Sequence, residues 1–128
     1  MIVVSDTSPL NYLVLVGVID VLPTLYREVC VPERVVVELR HAQAPAPVKA
    51  WVEMEHMWLR VLSPRRVDVI PGLDAGETHA IALAIELRAD RLLIDERKGR
   101  RAAARLGLAP VGTLGVLYEA AERGYWIS

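Results

Sequence analysis

The sequence predicts an α/β fold, a parallel-sheet three-layer sandwich with helices on both faces. Two observations carry that reading. Apolar runs of strand length alternate with longer stretches of helical periodicity along the chain, as crossover-connected parallel strands require. Two of those runs also stop at an aspartate just before a helix start, the edge at which open parallel sheets hold their ligands.

Ile2-Val3-Val4 is a β-branched run ended by Ser5-Asp6, and predicts a buried strand. Thr7-Ser8-Pro9 supplies a cap with proline in the first turn, so a helix runs to about Gly17. A shorter helical piece holds Ile19, Leu22 and Leu25. Glu28 to Val31 predicts the second strand, and Pro32-Glu33 opens a helix through Val35, Val36 and Leu39. A Pro/Ala loop, Gln43 to Pro47, leads into a helix from Ala46 to about His56, and Leu59 to Leu62 predicts a third strand. Ser63 to Leu73, with two prolines, a glycine and Arg65-Arg66, reads as a loop. Asp74 to Ala89 is the strongest helical stretch. Leu92-Leu93-Ile94 is a strand ended by Asp95, Lys98 to Leu106 a helix, and Pro110-Val111 a last short strand. Thr113 to Arg123 closes the chain as a helix with Gly124 at its C-cap.

The 128 residues make about one ordinary domain, and no linker, repeat or low-complexity tract divides residues 1–128. The hydrophobic fraction is 53% and the mean hydropathy +0.30, so membrane insertion has to be considered. The longest nearly apolar stretch, Leu10 to Ile19, is broken by Asn11 and Gly17 and falls short of the roughly 20 residues a span needs. The start lacks the basic region of a signal peptide, and the single cysteine, Cys30, excludes an internal disulfide. The expectation is a cytoplasmic protein without a membrane segment. A net charge of −1 and only 5% aromatics exclude a strongly basic nucleic-acid coat and an aromatic stacking platform. Any attraction for RNA has to be local.

Asp6 and Asp95 each stand between a strand and a helix, so both belong to the carboxyl edge of the sheet. Each could also serve only as a helix cap. Asp74 and Glu77 fit a capping box, yet Glu77 shares a helical face with Ile81, Ala84 and Ile85, which turns it inward at the helix N-terminus. Carboxylates gathered there repel one another and raise each other's pKa values. A hard divalent cation relieves this, and Mg²⁺ or Mn²⁺ suits an all-oxygen donor set. His41, His56 and His79 form no zinc pattern. Arg97, Arg101 and Arg105 recur every four residues, with Lys98 and Arg100 beside them. That stripe is either a solvated helix face or a contact for RNA phosphate, with Arg97 and Arg101 the expected substrate contacts. Cys30, Trp51 and Trp58 read as packing residues, and the Tyr125-Trp126-Ile127 tail as a dimer contact.

Four segments together resemble the PIN-domain ribonucleases, including the VapC-type toxins. They are Val4-Ser5-Asp6-Thr7-Ser8-Pro9-Leu10, Val36-Val37-Glu38-Leu39, Ala75-Gly76-Glu77-Thr78-His79-Ala80 and Leu92-Leu93-Ile94-Asp95-Glu96-Arg97. The ending Gly112-Thr113-Leu114-Gly115-Val116-Leu117 is similar to that of short stand-alone members. The resemblance implies a Mg²⁺- or Mn²⁺-dependent endoribonuclease with Asp6, Glu38, Glu77 and Asp95 as its catalytic acids. Asp6, Glu77 and Asp95 would hold the metal. Periodicity does not place Glu38, which can also pair with Arg34 one turn back; it enters through the resemblance. Thr7 and Ser8 match the polar residues that orient the first aspartate at the substrate side. The resemblance further implies RNA as substrate, a small antitoxin protein as partner, and a homodimer. Two positions depart from the usual pattern: the third acid is Glu77 rather than aspartate, and Leu93-Ile94 replaces a threonine or serine before Asp95. Two other classes remain open: a non-catalytic RNA- or partner-binding module on the same fold, and a phosphotransferase using a strand-end aspartate.

Overall fold

The computed structural model describes residues 1–125. Its strands are β1 (Val3–Ser5), β2 (Val29–Pro32), β3 (Leu59–Leu62), β4 (Arg91–Leu93) and β5 (Pro110–Val111). They pair in the order β3-β2-β1-β4-β5, parallel throughout. The helices are α1 (Thr7–Leu15), α2 (Val21–Tyr26), α3 (Glu33–Leu39), α4 (Ala46–Glu53), α5 (Ala75–Leu87), α6 (Arg97–Arg105) and α7 (Thr113–Glu122). Every element expected from the sequence is present. The helix from Ala46 stops at Glu53 rather than His56, because Met54 turns to extended backbone. His56 instead stacks on Trp51, with ring centroids 4.2 Å apart.

Strand residues alternate between two apolar layers, as the period of two dictates. Val3, Val29, Val31 and Leu93 face one core with helices α1 to α4 and α7. Val4, Cys30, Leu92 and Ile94 face the other, under α5 and α6. Cys30 is buried and free, and Trp51 packs in the first core. Helix ends follow local chemistry. Gly124, at φ +74°, lets the Tyr125 amide reach the Ala120 carbonyl and the Gly124 amide that of Ala121, a Schellman closure of α7. Trp126 and Ile127 of the expected dimer tail lie outside the described residues.

This strand order puts the functional edge in the middle of the sheet. The chain moves outward from β1 through β2 to β3, then returns to the other side of β1 with β4. The direction of winding therefore reverses between β1 and β4, the point at which doubly wound sheets open a crevice. Asp6 follows β1 there, and its amide donates to the Leu93 carbonyl at 2.9 Å. No described helix is long and apolar enough to cross a membrane.

Candidate active site

A depression of about 470 Å³ lies at that crevice, lined by Asp6, Glu38, Asp74, Glu77 and Glu96. Thr7, Ser8 and Lys98 complete its polar wall. A somewhat smaller, more apolar depression of about 400 Å³ between α5 and the preceding loop, around Ile81 and Ile85, holds none of this chemistry.

Asp6 forms the floor and is only 4% exposed. It stands at the N-cap position of α1, yet its side chain makes no cap hydrogen bond, and Oδ1 is buried without a partner. Burial pushes its pKa up to about 7, against the Thr7 amide that lowers it, and the charges of Asp74, Glu77 and Glu38 push it further. Helix capping does not account for the whole residue, because the Thr7 amide engages it while Oδ1 stays buried without a partner.

Glu77 is buried on the inner face of α5, where the sequence placed it. It closes a capping box: the Glu77 amide donates to Asp74 Oδ1 at 2.8 Å, and the Asp74 amide to Glu77 Oε1 at 3.0 Å. Burial raises its pKa, with the charges of Asp74 and Glu96 adding to that. Glu77 thus caps α5 and lines the pocket at once. Gly99 of α6 leaves it room, since a Cβ there would lie 3.1 Å from Glu77 Oε2.

Glu38 also serves two ends. Its Oε1 accepts a hydrogen bond from the Thr7 hydroxyl at 2.5 Å inside the pocket, and its Oε2 meets Arg34 at 3.4 Å one turn back. Gly76 makes this approach possible, because a Cβ at that position would fall on the Glu38 carboxylate.

Asp95 is the exception to the expected set. Its Oδ1 accepts the Thr113 amide at 2.6 Å and its Oδ2 the Thr113 hydroxyl at 2.7 Å. It lines a different depression, with Arg100 and Gly112. Strand alternation gives the reason. In register Ser5 pairs with Leu93, so Asp6 and Ile94 face the α5 side while Asp95, one residue on, faces α7. The next carboxylate, Glu96, comes back into the pocket with Asp6 and Glu77. The expectation that Asp95 shares the pocket is thus corrected to Glu96. Asp74 and Lys98 are the other lining residues that the sequence reading left out of the site.

The donors gathered in the pocket are carboxylate oxygens, and the buried, unpartnered Asp6 Oδ1 faces neighbouring negative charges. This set fits a hard divalent cation. Among the described residues no three Asp, Glu, His or Cys side chains already stand in metal-holding geometry; Glu38 and Glu77 are turned toward protein donors. Of the expected substrate contacts, Thr7 and Ser8 line the pocket, whereas Arg97 and Arg101 lie outside it on the exposed side of α6. Lys98 links the two regions, because it also lines a groove with Arg101 and Arg105.

A five-stranded parallel sheet covered on both faces, with carboxylates collected at its topological switch point, defines a doubly wound α/β protein. More particularly, the chain belongs to the PIN-domain family: the family model described as DUF3368, PIN domain, matches residues 2–128. PIN domains are commonly nucleases and typically use divalent metal ions. A solved structure of similar fold is a PilT N-terminus domain protein, SSO1118, from the archaeon Sulfolobus solfataricus P2. It is 17% identical, with a TM-score of 0.65 over 94% of this chain and 93% of the other. No curated protein matches the chain.

Proposed function

We propose that this protein is a metal-dependent endoribonuclease whose cation, Mg²⁺ or Mn²⁺, is held by Asp6, Glu77 and Glu96. The observation that carries the reading is Asp6, a carboxylate buried at the switch point with one oxygen unpartnered and its proton retained up to about pH 7. Nothing in the fold's packing calls for a carboxylate there. When bound, a divalent cation supplies Lewis acidity toward water and phosphate oxygen.

The chain's own residues do the rest. Glu38, anchored by Thr7, takes a proton from the attacking water. Ser8 lines the same wall and offers a hydroxyl to the substrate. Arg97, Lys98, Arg101 and Arg105 form no ion pair with a carboxylate among the described residues. They leave α6 with uncompensated positive charge beside an acidic pocket, which suits a polyanion such as RNA whose phosphates are held outside while one is drawn in. Exposed Tyr12 and Leu15 on α1 and Tyr118 on α7 support a homodimer. A toxin role, with a small antitoxin and a cytoplasmic setting, completes this reading and rests on family resemblance.

The test is cleavage of total RNA with Mn²⁺ or Mg²⁺ against an EDTA control, using Asp6→Asn and Glu96→Gln. Both variants should lose at least 100-fold in rate, on the order of the contribution of charge stabilisation at a transition state, while retaining the fold by circular dichroism. EDTA-insensitive cleavage, or full activity in Asp6→Asn, refutes the assignment. Mn²⁺ binding without cleavage would favour the non-catalytic module instead.

A further inference from the structure

Asp95 is one of the most firmly held carboxylates in the molecule, and it faces away from the acidic pocket. Both its oxygens are taken by Thr113, at 2.6 and 2.7 Å. Its carbonyl accepts from Arg100 Nη1 at 2.5 Å. Gly112 leaves space for this arrangement: a Cβ there would stand 3.1 Å from Asp95 Oδ1 and 3.2 Å from Arg100 Nη1. Helix α7 has no cap from its own N-cap residue, Gly112. Asp95 provides one from across the sheet, bonding the first amide of α7 where the helix dipole favours a negative charge.

We propose that Asp95 is a positioning residue: its clamp on Thr113, with Arg100, fixes the β4–α6 turn so that the adjacent Glu96 projects into the acidic pocket. This rests on the nuclease reading above. Glu96 has little of its own to hold it. Its carbonyl accepts from the Arg100 amide at 2.9 Å, but among the described residues its carboxylate has only a long 3.4 Å contact from the Lys98 amide, and the residue is exposed. The turn that carries it has to be rigid for its carboxylate to stay beside Asp6 and Glu77. Rigidity comes from three hydrogen bonds, two by the Asp95 side chain and one by its carbonyl, that tie this turn to α7 and to the first turn of α6. The clamp therefore acts on the pocket through the backbone of one residue.

Mn²⁺ titration calorimetry on the full chain separates positioning from ligation, with unfolding temperature measured on every variant. Asp95→Asn keeps an acceptor for the Thr113 amide, and its own amide can donate to the Thr113 hydroxyl. Asp95→Ala removes both contacts. Thr113→Ser keeps the hydroxyl donor and Thr113→Val removes it. The expected pattern is Mn²⁺ affinity within about threefold of the unaltered chain for Asp95→Asn and Thr113→Ser. Asp95→Ala and Thr113→Val should lose roughly 10–100-fold, the usual cost of removing a group that orients a metal ligand. Glu96→Gln should lose more than either. Should Asp95→Ala fail to fold, the Thr113 pair and Asp95→Asn still decide the matter. Loss of binding in Asp95→Asn as complete as in Glu96→Gln would make Asp95 a ligand and overturn the proposal. Unchanged affinity in both Asp95→Ala and Thr113→Val would overturn it as well. Failure of the unaltered chain to bind Mn²⁺ overturns the nuclease reading and takes this inference with it.

Discussion

Asp6 concentrates the molecule's chemistry in one side chain, and its cost can be measured without any substrate. Its pKa rises from the ordinary 3.8 to about 7, chiefly through burial. Well below pH 3.8 the folded and unfolded chains both carry the proton. As pH climbs toward 7 the unfolded chain has released it and the folded chain has not, so stability falls over that window and levels off above it. The gap corresponds to on the order of 4 kcal/mol in metal-free protein. Asp6→Asn removes this dependence. In EDTA its stability relative to the unaltered chain should be higher at pH 8 than near about pH 3, by urea denaturation at the two pH values. A difference that does not change with pH would contradict the buried, protonated carboxylate. Gly76 offers a second residue-scale prediction. A Cβ there would displace the Glu38 carboxylate, the mobile end of a long side chain, while alanine favours the helix by about 0.5–1 kcal/mol over glycine. Gly76→Ala should therefore fold at least as well as the unaltered chain, yet lose at least tenfold in cleavage rate. Undiminished cleavage would show that Glu38 does not work from its observed position.

At the scale of elements, the sequence was readable wherever one signal governed one segment. Val3, Val4, Leu92 and Leu93 lie in β1 and β4 because β-branched and aliphatic runs between turn residues have little else to form. Asp74 and Glu77 begin α5 with the capping box their spacing announces. Glu77's inward turn followed from the face it shares with Ile81 and Ala84, although Ile85, expected on the same buried stripe, is 47% exposed. Legibility failed at Asp95-Glu96, where two adjacent acids compete for one role. Strand parity would have separated them: Asp6 lies on the face of Val4, and Ile94 and Glu96 on the face of Leu92, with Asp95 opposite. Assigning that parity needs the pairing register of β1 with β4, and sequence does not supply register between strands separated by nearly the whole chain. Glu38 failed for another reason. It faces both Arg34 and Thr7, so neither a surface nor a buried pattern describes it. Helix α6 carries this scale's prediction. Its basic side chains Lys98, at the pocket wall, and Arg101 and Arg105, outside it, if they track RNA phosphates, should each add about 0.7 to the slope of log affinity against log salt for a single strand. Replacing Lys98, Arg101 and Arg105 by alanine should lower that slope by about 2, read by fluorescence anisotropy of a labelled single-stranded RNA in EDTA. An unchanged slope would return the stripe to a merely solvated face.

Across the whole molecule, strand order ties the pocket to the stability of the fold. The acids come from chain segments far apart: Asp6 after β1, Glu38 on α3, Glu77 on α5 and Glu96 before α6. They meet only when β4 has inserted beside β1, so the unfolded chain has no comparable site, and in the proposed metal site cation binding is coupled to folding. The Asp6 proton then competes with the cation for the same oxygens. With a pKa of about 7, about one-tenth of Asp6 is ionised at pH 6 and about nine-tenths at pH 8. Mn²⁺ should therefore bind about tenfold more weakly at pH 6 than at pH 8, releasing close to one proton per ion at the lower pH. Calorimetry in buffers of different ionisation enthalpy reads both quantities. The same ion at 100 times its dissociation constant should stabilise the fold by about 2.7 kcal/mol, raising the unfolding temperature of the unaltered chain at pH 8 and leaving that of Asp6→Asn in place. Affinity that stays flat from pH 6 to pH 8 would mean that the cation, if it binds, does so without Asp6, and the pocket at the switch point would lose its claim to be the metal site.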